Sequence, residues 1–148
     1  MNDNEIRRAV YDIIIGDDKI VEMLGENSHV SQPENNVKSK FYSVMTADQF
    51  DYNKHEMPVV TIQMGSPVRT DYHLVENILY IRCYNNSQKS FVNITEILSR
   101  IVKRLHRAEL PLDDNRLVEC VWTSTSAESI DEAYNLPYRE ATFTIATV

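Results

Sequence analysis

The groups able to do chemistry in this sequence are four histidines, two cysteines and several clustered acids. His29, His55, His73 and His106 stand nowhere at H-x-x-x-H spacing, and neither Cys83 nor Cys120 has a C-x-x-C partner, so no metal site can be read from spacing. The H-x-E with a downstream P-C-x-x-C that marks zinc deaminases is absent. No serine sits in a G-x-S-x-G elbow, and Cys83 has no nearby histidine to activate it. Each cysteine lies inside an apolar, strand-like run, where a buried free thiol is the expected state. Asp17 and Asp18 follow Gly16 and precede an apolar turn, which reads as helix capping rather than metal ligation. The densest polar group, Asp48, Asp51, Lys54, His55 and Glu56, falls in a loop that offers little of the rigid positioning catalysis needs, and reads first as loop solvation and second as partner contact. Three glycines are too few for phosphate-cradling loops. The expectation is a protein with no enzymatic activity, no metal and no cofactor.

Charge says more. The 148 residues include 22 acids and 15 bases, a net charge of -7, with 43% apolar and 25% charged residues. That is ordinary globular usage, so disordered, collagenous and coiled-coil classes drop out, and the length predicts one domain over 1–148. No apolar run reaches the ~18 residues of a membrane span, and the acidic start Met1–Glu5 lacks the basic region of a secretory signal, so a soluble intracellular product is expected. Residues 1–36 carry 8 acids and 3 bases, residues 88–107 carry 5 bases and 1 acid, and residues 108–148 carry 8 acids and 2 bases. The whole chain would repel nucleic acid, while its one basic segment would not.

The elements follow from periodicity. Ile6, Val10, Ile13 and Ile14 share one face of a helix that Gly16 ends, and a shorter turn with Ile20, Met23 and Leu24 stops at Gly25. A polar loop leads to Val37–Met45, which alternates as a strand or an extended arm. The long stretch at about 37–57, with Phe50 and Tyr52 in its polar half, reads either as a partner-binding arm or as a lid over the core. VVTIQM after Pro58 is a strand. Tyr72–Tyr84 is a longer one, with Val75, Asn77, Leu79, Ile81 and Cys83 on one face and Leu74, Glu76, Ile78, Tyr80 and Arg82 on the other. Ile94, Ile97, Leu98, Ile101, Val102 and Leu105 give the strongest helical pattern, and Arg100, Lys103, Arg104 and Arg107 stripe its other side. That stripe is either a solvated face or the seat of an acidic partner or nucleic acid. Residues 111–115 turn the chain, and Leu117–Ser126 and Tyr138–Val148 are strands joined by an acidic connection. The predicted class is α+β: a mainly antiparallel sheet of four to five strands with two main helices on one face.

An amphipathic first helix closing on DDKIVEMLG, the proline-led PVVTIQM, the strand NILYIRCYNNS, the helix ITEILSRIVKRL and terminal strands ending FTIATV follow one another in this order. In layout and apolar pattern, nearly the whole chain resembles the tail terminator (tail completion, or tail-to-head joining) proteins of tailed bacteriophages. The stretch 37–57 departs from that layout. The resemblance implies a virion protein, made in the host cytoplasm, that assembles as a homo-oligomeric ring, a hexamer in that family. The ring caps the tail tube, stops its polymerisation and joins it to a head-side connector or neck protein, with DNA only passing through the lumen and no membrane involved. A head-closure or adaptor ring of the neck is the neighbouring reading, and a small nucleic-acid-binding or enzymatic α+β domain is the reading from a different class.

A ring repeats one heterologous interface, so each subunit needs two complementary patches. The expected pairing sets Arg100, Lys103, Arg104 and Arg107 against Asp131 and Glu132 or the acidic N-terminal region of a neighbour, with Phe50, Tyr52, Ile78 and Tyr80 supplying apolar area. In that ring the acidic surplus is expected to line the DNA channel.

Overall fold

A computed structural model describes residues 3–24, 41–43, 57–66, 68–69, 75–86, 90–112 and 117–147. The elements in chain order are α1 (Asp3–Ile15), α2 (Asp18–Met23), β1 (Phe41–Ser43), β2 (Val59–Met64), β3 (Val68–Arg69), β4 (Val75–Tyr84), α3 (Phe91–Leu105), β5 (Ala108–Pro111), β6 (Leu117–Thr125), β7 (Ser129–Asp131) and β8 (Leu136–Thr147). The main sheet runs β1-β2-β4-β8-β6-β5, with β3 on β4 and β7 on β8. Every pairing is antiparallel except β1 with β2, which is parallel. The class is therefore α+β, as the pattern predicts.

The four strands of six or more residues, β2, β4, β6 and β8, are the ones whose alternation is visible in the sequence. The short strands add to that count. Ala108–Pro111 is the short strand β5, which pairs with β6 from Ala108↔Cys120 to Pro111↔Leu117, and residues 113–115 of the expected turn lie outside the described residues. The acidic connection between the last two strands contains β7, in register with β8 from Ser129↔Tyr138 to Asp131↔Leu136. Two to four residues hold too little alternation to be read as strands.

The helices cover one face. Ile6, Val10 and Ile14 of α1, Ile20 of α2, and Ile94, Ile97, Leu98, Ile101 and Leu105 of α3 are all buried. They pack on Val60 and Ile62 of β2, Leu79, Ile81 and Cys83 of β4, Ala141, Phe143 and Ile145 of β8, and Val118 and Cys120 of β6. Burying one such aliphatic or aromatic side chain contributes about 1.5–3 kcal/mol, so the stripe of α3 is the main fastening of helix to sheet. Burial pushes the Cys83 thiol up to about 12, and burial with the Glu119 charge does the same for Cys120; both are free thiols. No described helix is long and apolar enough to cross a membrane.

The opposite face of the sheet is mixed. Val59, Tyr84 and Leu136 form a smaller buried cluster there, edged by Met57, Tyr134 and Tyr138. Ile78 and Tyr80 are half-buried on that face. Gly65 allows the close approach, since a Cβ there would come within 2.8 Å of the Tyr80 ring while the Gly65 N–H donates to the Ile78 carbonyl at 2.7 Å.

Candidate functional site

Two ionic centres organise the described charges, one in each layer. In the helix layer, Asp17 is the N-cap of α2: its Oδ1 accepts from the backbone N–H groups of Lys19 (3.0 Å) and Ile20 (3.1 Å). Its Oδ2 takes Arg100 through Nε and Nη2, both at 3.0 Å, and Arg104 through Nε at 3.1 Å. The Asp17 side chain is only 3% exposed. Burial alone would push its carboxyl up. The Arg100 hydrogen bond, the Ile20 N–H, the Arg100 charge and the Lys19 N–H outweigh that and hold it below its ordinary 3.8. One carboxylate thus ties the α1–α2 turn to α3.

The sheet-side centre inverts the polarity, with one guanidinium between two carboxylates. Arg82 of β4 donates to Glu140 of β8 through Nε at 2.9 Å and Nη2 at 2.8 Å, and to Asp131 of β7 through Nη1 at 3.1 Å. Its Nη1 also donates to the Tyr84 hydroxyl at 3.1 Å, which donates in turn to Asp131 Oδ2 at 3.1 Å. The guanidinium carbon lies 4.1 Å from the centre of the Tyr138 ring. This centre pins the hairpin of β7 and β8 to the sheet. Inside the turn, Ala133 N–H donates to Asp131 Oδ1 (2.9 Å) and Asn135, at φ 55°, donates its N–H to the Asp131 carbonyl (2.7 Å).

The residues expected to meet a neighbour are therefore placed unevenly. Arg100 and Arg104 hold Asp17 of their own chain, and Asp131 holds Arg82. Lys103, Arg107 and Glu132 are exposed and make no ion pair among the described residues. Arg107 sits just past α3 at φ 62°, its N–H donating to the Cys120 carbonyl at 2.7 Å. Ile78 and Tyr80 lie on the open sheet face, far in the fold from the basic stripe on α3. Phe50 and Tyr52, the loop acids at 48–56 and most of the stretch 37–57 lie outside the described residues; within that stretch Phe41–Ser43 is the parallel strand β1.

Spacing did not point to several surface features. A cleft of about 500 Å³ runs between α2 and α3, with Lys19, Arg100 and Lys103 as its cations, Glu96 as its acid, and Met23, Thr95 and Ser99 completing the wall. On the other flank of α3, a groove of about 210 Å³ is lined by Val102, Trp122, Thr125 and Arg139 among others. Trp122 is 39% exposed although it shares the helix-facing side of β6 with Cys120, and the register with β8 shifts just after it, between Trp122 and Ser124. Arg139 breaks the apolar parity of Ala141, Phe143 and Ile145 in β8, a signal the sequence does hold. It donates to the Ser126 carbonyl (3.0 Å) and to Thr95 Oγ1 (3.1 Å). No group of three or more His, Cys, Asp or Glu side chains among the described residues converges as a metal ion would require.

Fold and site together define an α+β module in which two ionic centres fasten one element to another. No family model and no curated protein sequence matches the chain. Among solved structures, its fold is similar to that of a chain in "Virion of native gene transfer agent (GTA) particle", with a TM-score of 0.60 over 97% of this chain and 95% of that chain, at 13% identity. At that identity the likeness is one of fold.

Proposed function

We propose that the chain is a structural protein of a virus particle: a one-domain subunit that assembles as a closed ring at the head-side end of a phage tail. There it ends polymerisation of the tail tube and gives the head-side connector a surface to bind. The observation that carries the virion role is the end-to-end fold likeness to a chain of a gene transfer agent virion. The tail-terminator role within the virion rests on the resemblance in element order and on two features that suit a ring.

The first feature is a stiff scaffold. Ionic centres in both layers lock the turn of α1 and α2 and the hairpin of β7 and β8, so these two segments lose little ordering entropy on assembly. The second is charge of both signs left over at separate places, Lys103 and Arg107 on the helix side and Glu132 on the hairpin, which suits a repeated head-to-tail contact. The work is physical: the ring presents a finished surface to the last row of tube subunits and leaves no site for the next row.

The test is to add the purified protein to polymerising tail tube protein and to measure tube lengths by negative-stain electron microscopy. The expected result is tubes that stop growing, with a ring-shaped density at one end. Tubes that lengthen unchanged, with no protein at their ends, would exclude the terminator role.

A further inference from the structure

We infer that the cleft between α2 and α3 receives the β7 hairpin of a second copy of this chain; this rests on the ring reading above and assigns its two complementary patches. Among the described residues the cleft presents Lys19, Lys103 and Arg100 against the acid Glu96, with the Met23 side chain as its apolar element. Asp17 already binds Arg100, while Lys19 and Lys103 are exposed and make no ion pair among the described residues. The cleft therefore offers two free ammonium groups beside one apolar contact.

The matching surface lies in the same chain. Residues 127–135 hold Glu128, Asp131 and Glu132 and no base. Arg82 takes Asp131, but Glu128 and Glu132 are exposed and unpaired among the described residues, and between them Ile130 is 37% exposed. Glu128, Ile130 and Glu132 alternate along one face, so two acids and an apolar residue are presented together, matching in kind the two lysines and Met23 of the cleft. The hairpin is also held in one shape, by its register with β8, by the Asp131 bonds within its turn and by the Arg82 clamp. A pre-shaped segment loses little freedom on docking.

One copy cannot fill its own cleft. β7 is fixed in the sheet by its register with β8 and by the Arg82 clamp on Asp131, whereas the cleft lies between α2 and α3. The contact must pass from copy to copy, and a heterologous contact makes a ring when its repeated rotation closes. It also revises the expected pairing: Lys19 and Lys103 replace Arg100 and Arg104 as the receiving cations, and Glu128 joins Glu132 while Asp131 stays internal.

The full chain tests this by sedimentation velocity across a concentration series, at low and at raised salt. Lys19→Glu with Lys103→Glu, and separately Glu128→Lys with Glu132→Lys, should each raise the concentration for half-assembly about tenfold or more, as like charges replace complementary ones. The quadruple variant carrying both reversals should return close to the parent, and raised salt should weaken the parent while affecting each double variant less. Because all four positions are exposed, circular dichroism and thermal unfolding of the variants should match the parent. A parent that assembles and ignores both reversals, or a quadruple variant no better than the doubles, overturns the inference and leaves the ring reading standing. A parent that stays monomeric at every concentration overturns both.

Discussion

The two ionic centres are opposites, and the contrast explains how each layer is held. In the helix layer a buried carboxylate draws in two guanidinium groups from one helix, Arg100 and Arg104, spaced one turn apart on α3. On the sheet a half-buried guanidinium draws in carboxylates from two different strands, Asp131 and Glu140. The first centre joins neighbouring helices and leaves net positive charge around it. The second joins three strands and holds one more negative than positive charge.

The comparison is broken most severely at Arg82. Arg82→Ala leaves Asp131 and Glu140 half-buried, close together and without a counter-ion, and should cost about 3 kcal/mol in urea unfolding. Arg82→Lys should recover only part of that, because an ammonium cannot fork between two carboxylates. Next comes Asp17→Ala, which removes the α2 cap and three bonds to arginines whose own heads stay partly hydrated; a loss of about 2 kcal/mol is expected by the same measurement. The smallest effect is expected for Arg104→Gln. Arg104 is 48% exposed, so its single bond to Asp17 should contribute less than about 1 kcal/mol.

Acid sharpens the comparison further. The Asp17 pKa is lowered in the folded chain, so its contribution is complete above the unfolded value and is lost as pH falls through the folded one. Stability should therefore be insensitive to this group at neutral pH and should decline at pH values below 3.8. Asp17→Asn should flatten that part of the decline when unfolding is followed against pH. If the variant loses stability with acid as steeply as the parent, the Asp17 centre is not the acid-sensitive fastening.

Much of the layout was legible because it rests on local periods. The α3 stripe, the α1 face and the alternation of Leu79, Ile81 and Cys83 or of Ala141, Phe143 and Ile145 all point inward as their spacing requires. Capping by Asp17 was legible too, since a cap acts within three residues. The partners of the charges were not. Asp17 and Arg100 are 83 residues apart, Arg82 and Glu140 are 58 apart, and nothing local marks either pair. A basic stripe on α3 looks the same in sequence whether it faces solvent, another subunit or a buried aspartate. Likewise Ser129–Asp131 reads as an acidic linker until β8 and Arg82 supply the edge and the clamp that make it a strand.

The central claim is a closed assembly built from one repeated contact, and native mass spectrometry of the full chain tests it most directly. The account predicts one dominant species containing a fixed number of copies above two, unchanged as concentration rises. A monomer at all concentrations, a dimer that goes no further, or an open ladder of sizes would contradict it.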